Sequence, residues 1–139
     1  MSYYDPEAVR PMWEELAAVG IKPLTTPAEV DTYIKAKPGT TLLFINSVCG
    51  CSAGNARPGL MEALQHTVIP DHLVTVFAGV DLEATNRARE FMPGITASSP
   101  FVALFKEGQL VMTLPRQEIE RMDKDQVADI LVRAFDTHC

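Results

Sequence analysis

At 139 residues, with 47% apolar and 22% charged side chains, the chain is long enough for one core of ordinary size and too apolar for disorder. A formal net charge of -6 disfavours nucleic-acid backbones and anionic membrane surfaces as partners. No apolar run approaches the roughly 20 residues of a membrane span, and Met1-Ser2-Tyr3-Tyr4-Asp5 lacks the basic and apolar stretches of a signal peptide, so a cytoplasmic protein is expected.

The first predicted element is a helix from Asp5 to Val19, with Asp5 as cap, Pro6 in the first turn and an apolar face of Val9, Met12, Trp13, Leu16 and Val19. Pro11 lies inside that pattern and should kink the helix or push its start later; Gly20 ends it. Thr26 and Glu29 have capping-box spacing for a second helix to about Ala36, broken by Lys37-Pro38-Gly39. Thr40 to Ile45 is β-branched or apolar throughout, as suits a strand covered on both faces. A cysteine-bearing loop follows, then a helix to about Gln65. Leu73 to Gly79 reads as the next strand, and Asp81 as the cap of a helix from Leu82 to about Met92 that Pro93-Gly94 stops. Ser98-Ser99-Pro100 leads into the strand Phe101 to Phe105. Lys106-Glu107-Gly108 is a tight-turn signal, so the return strand, Gln109 to Leu114, must be antiparallel to it. Asp123, with Gln126 at the third position, caps a last helix whose buried face is Val127, Ile130, Leu131, Ala134 and Phe135.

After a helical preamble (1–39), the core (40–139) thus runs strand, helix, strand, helix, strand, strand, helix, in a single domain spanning 1–139. Strands separated by a helix should be parallel. Periodicity leaves other α/β folds open. The cysteines after the first core strand and the proline before the third narrow the choice to a thioredoxin-like, three-layer α/β/α fold, with a mixed central sheet and an extra N-terminal helical segment.

Cys49 and Cys51 lie where a strand gives way to a helix, flanked by Gly50, Ser52, Ala53 and Gly54. Unpaired N–H groups and the helix dipole favour an anion there, which lowers a thiol pKa and exposes a nucleophilic thiolate. Three cysteines are too few for a disulfide scaffold, and a close pair in a reducing compartment points to redox chemistry or metal. Cys49 is the candidate attacking thiol and Cys51 the candidate resolving thiol. Whether the two bridge across Gly50 depends on their Cα separation and Cβ directions, and the alternative is that Cys51 only supports the loop.

Ser99-Pro100, in the thioredoxin-like arrangement, is expected in cis beside the active cysteine, with its backbone open to an extended substrate; an ordinary trans proline is the alternative. Arg57 is a candidate for holding a substrate carboxylate or stabilising a thiolate, and equally for a solvated helix residue. Arg116 is a second candidate anion contact. Cys139 is a candidate tail resolver or interchain link, or an exposed thiol without a role; His66 and His72 have no partner suggested by spacing. A reading of a different class gathers Cys49, Cys51, Cys139 and His138 round zinc or an iron–sulfur cluster, but a one-residue gap is unlike paired zinc ligands, and no metal is expected.

Asn46-Ser47-Val48-Cys49-Gly50-Cys51, with Ala53-Gly54 and Ala56-Arg57-Pro58, resembles the bacilliredoxin family. So do Thr75 to Gly79, Glu83-Ala84-Thr85, Ser98-Ser99-Pro100, Pro115 to Glu120 and Ala134 to Cys139. The resemblance implies a thioredoxin-like fold and removal of bacillithiol, a low-molecular-weight thiol, from mixed disulfides on client proteins. It implies Cys49 as attacking cysteine, Cys51 as its partner, bacillithiol as co-substrate and no tightly bound cofactor. A general disulfide isomerase or reductase of the thioredoxin type is the alternative activity.

Overall fold

The computed structural model describes residues 2–36 and 38–139. The first helix, α1 (Pro6–Ala17), starts where the cap signal puts it: the Asp5 side chain accepts from the Glu7 N–H at 3.0 Å. Pro11 lies within it and does not move its start to a later residue. The helix stops two residues before Val19 because Gly20, at φ +93°, closes it: Gly20 N–H donates to Ala17 O and Ile21 N–H to Leu16 O.

The preamble is not wholly helical. Lys22–Pro23 forms a short strand, β1, parallel to β3 (His72–Phe77). Two residues, one of them proline, carry no strand signal; proline is tolerated because β1 is an edge. Next, α2 (Pro27–Asp31) has the expected Thr26–Glu29 capping box, then widens into a π turn over Thr32–Ala36. Of the expected break, Lys37 lies outside the described residues.

The central strand, β2 (Thr40–Asn46), is buried at every residue. It pairs in parallel with β3 and antiparallel with β4 (Phe101–Lys106), and β5 (Gln109–Leu114) completes a sheet of order β1-β3-β2-β4-β5. Alternation along β2 divides the core. Leu42 and Phe44 pack with Leu60 of α3 (Arg57–Ala63) and Leu131 and Phe135 of α6 (Lys124–His138). Leu43 and Ile45 pack with Val30 of α2 and Ala84 and Ala88 of α4 (Leu82–Glu90). Helices therefore cover both faces of a mixed sheet. Glu107 and Gly108 both have positive φ, the backbone of the type I′ turn that joins twisted strands.

Two details differ from the local sequence signals. Asp81 stands at the N-cap of α4, where its carbonyl accepts from Thr85 N–H, but its side chain does not cap: Oδ2 accepts from the Phe77 N–H at 3.2 Å, tying it to the end of β3. Between β5 and α6, Arg116–Ile119 forms one helical turn, α5. By contrast the Asp123–Gln126 capping box of α6 is in place.

Helices α3 and α6 touch closely at Gly59, where a Cβ would lie 2.7 Å from two Val127 carbons and 2.9 Å from Lys124 O. Gly59→Ala should therefore force the helices apart and cost about 1–3 kcal/mol, read as a lower urea midpoint at unchanged slope.

Candidate active site

Strand register gathers the site. Ile45 faces Phe101 across β2 and β4, and Val102 faces Leu114 across β4 and β5. The end of β2, the start of β4 and the end of β5 thus share one end of the sheet. Leaving them are the cysteine loop, Ser99-Pro100 and Pro115-Arg116 respectively.

The cysteine loop is held from below. Asn46, fully buried, donates through Nδ2 to Met12 O of α1 at 3.0 Å. Its Oδ1 accepts from Ser47 N–H at 2.8 Å, Ser52 Oγ at 3.0 Å and Arg57 Nη1 at 3.0 Å. Ser47 Oγ accepts from Cys49 N–H at 3.2 Å. Helical turns start at once, with Ser52 N–H and Ala53 N–H donating to Cys49 O. The helix then widens into a π turn over Ser52–Ala56 before α3. Cys49 therefore sits at the positive end of a helix.

Both thiols are free and partly buried. Burial pushes the Cys49 thiol up, but hydrogen bonds to its sulfur from the Cys51 thiol, Ser52 N–H, the Ser47 hydroxyl and Cys51 N–H outweigh that, and its pKa falls below the usual 9.0. Burial, the hydrogen bond given to Cys49 and the charge of Cys49 push Cys51 up to about 11, against the pull of Arg116. The pair thus consists of one thiol made more acidic than usual and one held protonated that donates to it.

The Ser99–Pro100 peptide is cis, and Pro100 is buried. Arg116, exposed on α5, reaches across: its Nη1 donates to Ser99 O at 3.5 Å, its Nε pairs with Glu120 at 3.5 Å, and the charges of Cys49 and Cys51 raise its pKa. Asn55 helps to place it, since Nδ2 donates to Ile119 O at the end of α5. In the sequence Asn55 is marked only by its nearness to the cysteines, with no sign of its partner.

Arg57 is neither a solvated helix residue nor placed to reach a substrate. It is 5% exposed, and its guanidinium is engaged internally. Nε donates to Glu15 at 2.9 Å, and Nη1 to Asn46 Oδ1, Ser47 O and Ser52 Oγ at 3.0–3.1 Å. Glu15, on α1, drew no attention in the sequence because its partner is 42 residues away.

Cys139 is not placed to resolve an adduct on Cys49. It follows α6 and feels Thr40, Asp71 and Lys106, which lie at the start of β2, just before β3 and at the end of β4. The seven residues of β2 separate the two ends of the sheet by about 20 Å. Burial pushes this thiol up rather than down. The same distance parts Cys139 and His138 from Cys49 and Cys51, so the proposed metal set is not gathered. Among the described residues, no group of three or more His, Cys, Asp or Glu could hold a metal ion. His66 instead meets Asp136 at 2.8 Å, and His72 meets Pro38 O at 3.1 Å.

An apolar cleft of about 220 Å³ lies away from the thiols, between α1 and the end of β3, lined in part by Trp13, Phe77 and Asp81. The thiols themselves are partly exposed. Among the described residues no helix is long and apolar enough to cross a membrane.

Solved structures share the fold. An oxidised thioredoxin from Plasmodium falciparum superposes with a TM-score of 0.59 at 18% identity, over 83% of this chain and 97% of that one. Mitochondrial thioredoxin 3 from Saccharomyces cerevisiae does so with a TM-score of 0.56 at 19% identity, over 84% and 94%. The family described as disulphide isomerase matches residues 4–139. Sequence relatives include a bacilliredoxin of Cytophaga hutchinsonii, 49% identical over 96% of this chain and 98% of its own. One from Salinibacter ruber is 50% identical over 98% and 81%, and one from Halalkalibacterium halodurans 48% identical over 98% and 94%. Identity near one half along almost the whole chain is far beyond what a shared fold requires, and the chain therefore belongs to the bacilliredoxin family and is a thiol–disulfide oxidoreductase.

Proposed function

We propose that this protein removes bacillithiol from mixed disulfides on client proteins. The observation that carries the reading is the opposed acidity of two thiols one residue apart, in a chain about half identical to bacilliredoxins. Cys49 thiolate attacks the bacillithiol sulfur of the mixed disulfide. The client sulfur leaves with the electron pair and is protonated, and bacillithiol remains disulfide-bonded to Cys49. Capping Cys49 then removes two of the influences that hold the Cys51 proton, namely the hydrogen bond to Cys49 and the negative charge of Cys49. Cys51 becomes more acidic at the moment it is needed. Its thiolate attacks the Cys49 sulfur, releases bacillithiol and leaves a Cys49–Cys51 disulfide, to be reduced by an external thiol. A second bacillithiol attacking the adduct gives bacillithiol disulfide instead, and needs Cys49 alone.

Arg116 serves both steps, as a contact for the carboxylates of the small thiol and as the cation that lowers Cys51. Ser99-Pro100 offers backbone to an extended client beside it. Arg116→Gln should slow resolution of the Cys49 adduct by about threefold to tenfold, read by quenched single turnover. No tightly bound cofactor is needed, and a thiol reductant of this kind belongs in the cytoplasm.

The deciding experiment compares two substrates at equal concentration: a client carrying one bacillithiol, and a scrambled multi-disulfide protein. Faster turnover of the bacillithiolated client supports the proposal. Faster reshuffling of the scrambled protein makes the chain a general isomerase, the activity after which its matching family is described.

A further inference from the structure

A guanidinium beneath the reactive loop has no reaction of its own to perform. Arg57 is 5% exposed, and its carboxylate partner, Glu15, belongs to a half-exposed side chain on another helix. Buried ion pairs are poor sources of stability, because desolvation offsets most of the attraction. What Arg57 does is geometric. Nη1 grips Ser47 O, Asn46 Oδ1 and Ser52 Oγ together. Asn46 Oδ1 in turn receives Ser47 N–H and Ser52 Oγ. Ser47 and Ser52 themselves hold Cys49: Ser47 Oγ accepts from Cys49 N–H at 3.2 Å, Ser52 N–H donates to Cys49 O at 3.0 Å, and both residues help to lower the Cys49 thiol. Keeping both residues on Cys49 requires that they stay fixed relative to each other: Nη1 of Arg57 spans that gap, while Nε anchors the same guanidinium plane to Glu15.

We propose that Arg57 is a positioning residue for the attacking thiol: pinned by Glu15 of α1, it locks Ser47 and Ser52 in place on Cys49. The N-terminal helix thereby becomes part of the reactive apparatus. The proposal rests on Cys49 as the attacking thiolate and needs no particular client. The other titratable or charged groups facing Cys49 are Cys51, one residue on, and Arg116 of α5.

The test is the pH profile of Cys49 alkylation by iodoacetamide, resolved from Cys51 and Cys139 by peptide mass spectrometry, in wild type, Arg57→Met, Arg57→Lys and Glu15→Gln. Arg57→Met should move the midpoint up by about one pH unit and slow alkylation near pH 7 about tenfold. Arg57→Lys, which keeps the charge but loses the fork, should recover less than half of that loss. Glu15→Gln, at a half-exposed position, should give a smaller upward shift with the fold intact, and decides the matter if Arg57→Met does not fold. A lower melting temperature with an unmoved midpoint in the folded variants overturns the proposal, as does full recovery in Arg57→Lys. Wild-type alkylation that falls first on Cys51 sinks the nucleophile assignment and this proposal together. Failure of the bacillithiolated client to turn over sinks only the substrate reading.

Discussion

Cys49→Ser is expected to lose client turnover by a thousandfold or more, while Cys51→Ser accumulates one bacillithiol adduct on Cys49. Intact-protein mass spectrometry reads both results directly. The size of the first effect follows from chemistry: a serine hydroxyl is not ionised near neutral pH, and burial, the largest of the influences that push Cys51 up, still acts on the one thiol left in the loop. The second follows from the order of ionisation. Cys51 is held up to about 11 while Cys49 is free, so in the proposed sequence it should be slow to start the reaction and should act in the resolving step. Wild-type activity should accordingly rise with pH with its midpoint below pH 9, because the Cys49 pKa is lowered from that value and attack tracks its thiolate fraction. A Cys49→Ser protein that still frees the client would return the nucleophile's role to Cys51. A Cys51→Ser protein that turns over at the wild-type rate would leave resolution to a second bacillithiol.

Asn46→Leu should be the most damaging conservative-volume change, costing about 3–5 kcal/mol of stability. The side chain is fully buried and makes four hydrogen bonds: one donated to Met12 O, and three accepted from Ser47 N–H, Ser52 Oγ and Arg57 Nη1. Leucine fills the space and satisfies none of them. The Met12 carbonyl and Ser47 N–H lose their partner, and the buried guanidinium keeps fewer acceptors. Thermal unfolding should fall by roughly 10 °C or more. A loss below about 1 kcal/mol would show that water or neighbouring backbone replaces the amide, and that the loop does not depend on it.

The sequence by itself determined the order of elements, the capping boxes at Thr26–Glu29 and Asp123–Gln126, the tight turn at Glu107-Gly108, and the placing of Cys49 and Cys51 between strand and helix. Each of these is local: apolar period, a cap three residues from its partner, a glycine where φ must be positive. The fully buried β2 was legible too, since an unbroken apolar run has no face to give to water. Only the tertiary structure decided the rest. Asp81 has the chemistry of a cap, yet bonds back to Phe77 because β3 ends beside it. Arg57 and Arg116 were equal candidates in sequence. Packing sends one under the loop to Glu15, 42 residues away, and the other across it on a short helix that Asn55 holds from 64 residues away. Cys139 has the same thiol as Cys49, but the last helix delivers it to the opposite end of β2. Partners so distant along the chain leave no period or spacing to read. Their meeting is set by how helices settle on a sheet, and that is where a side chain becomes an exposed cation beside the thiols, a prop for the loop that carries them or a thiol at the far end of the sheet.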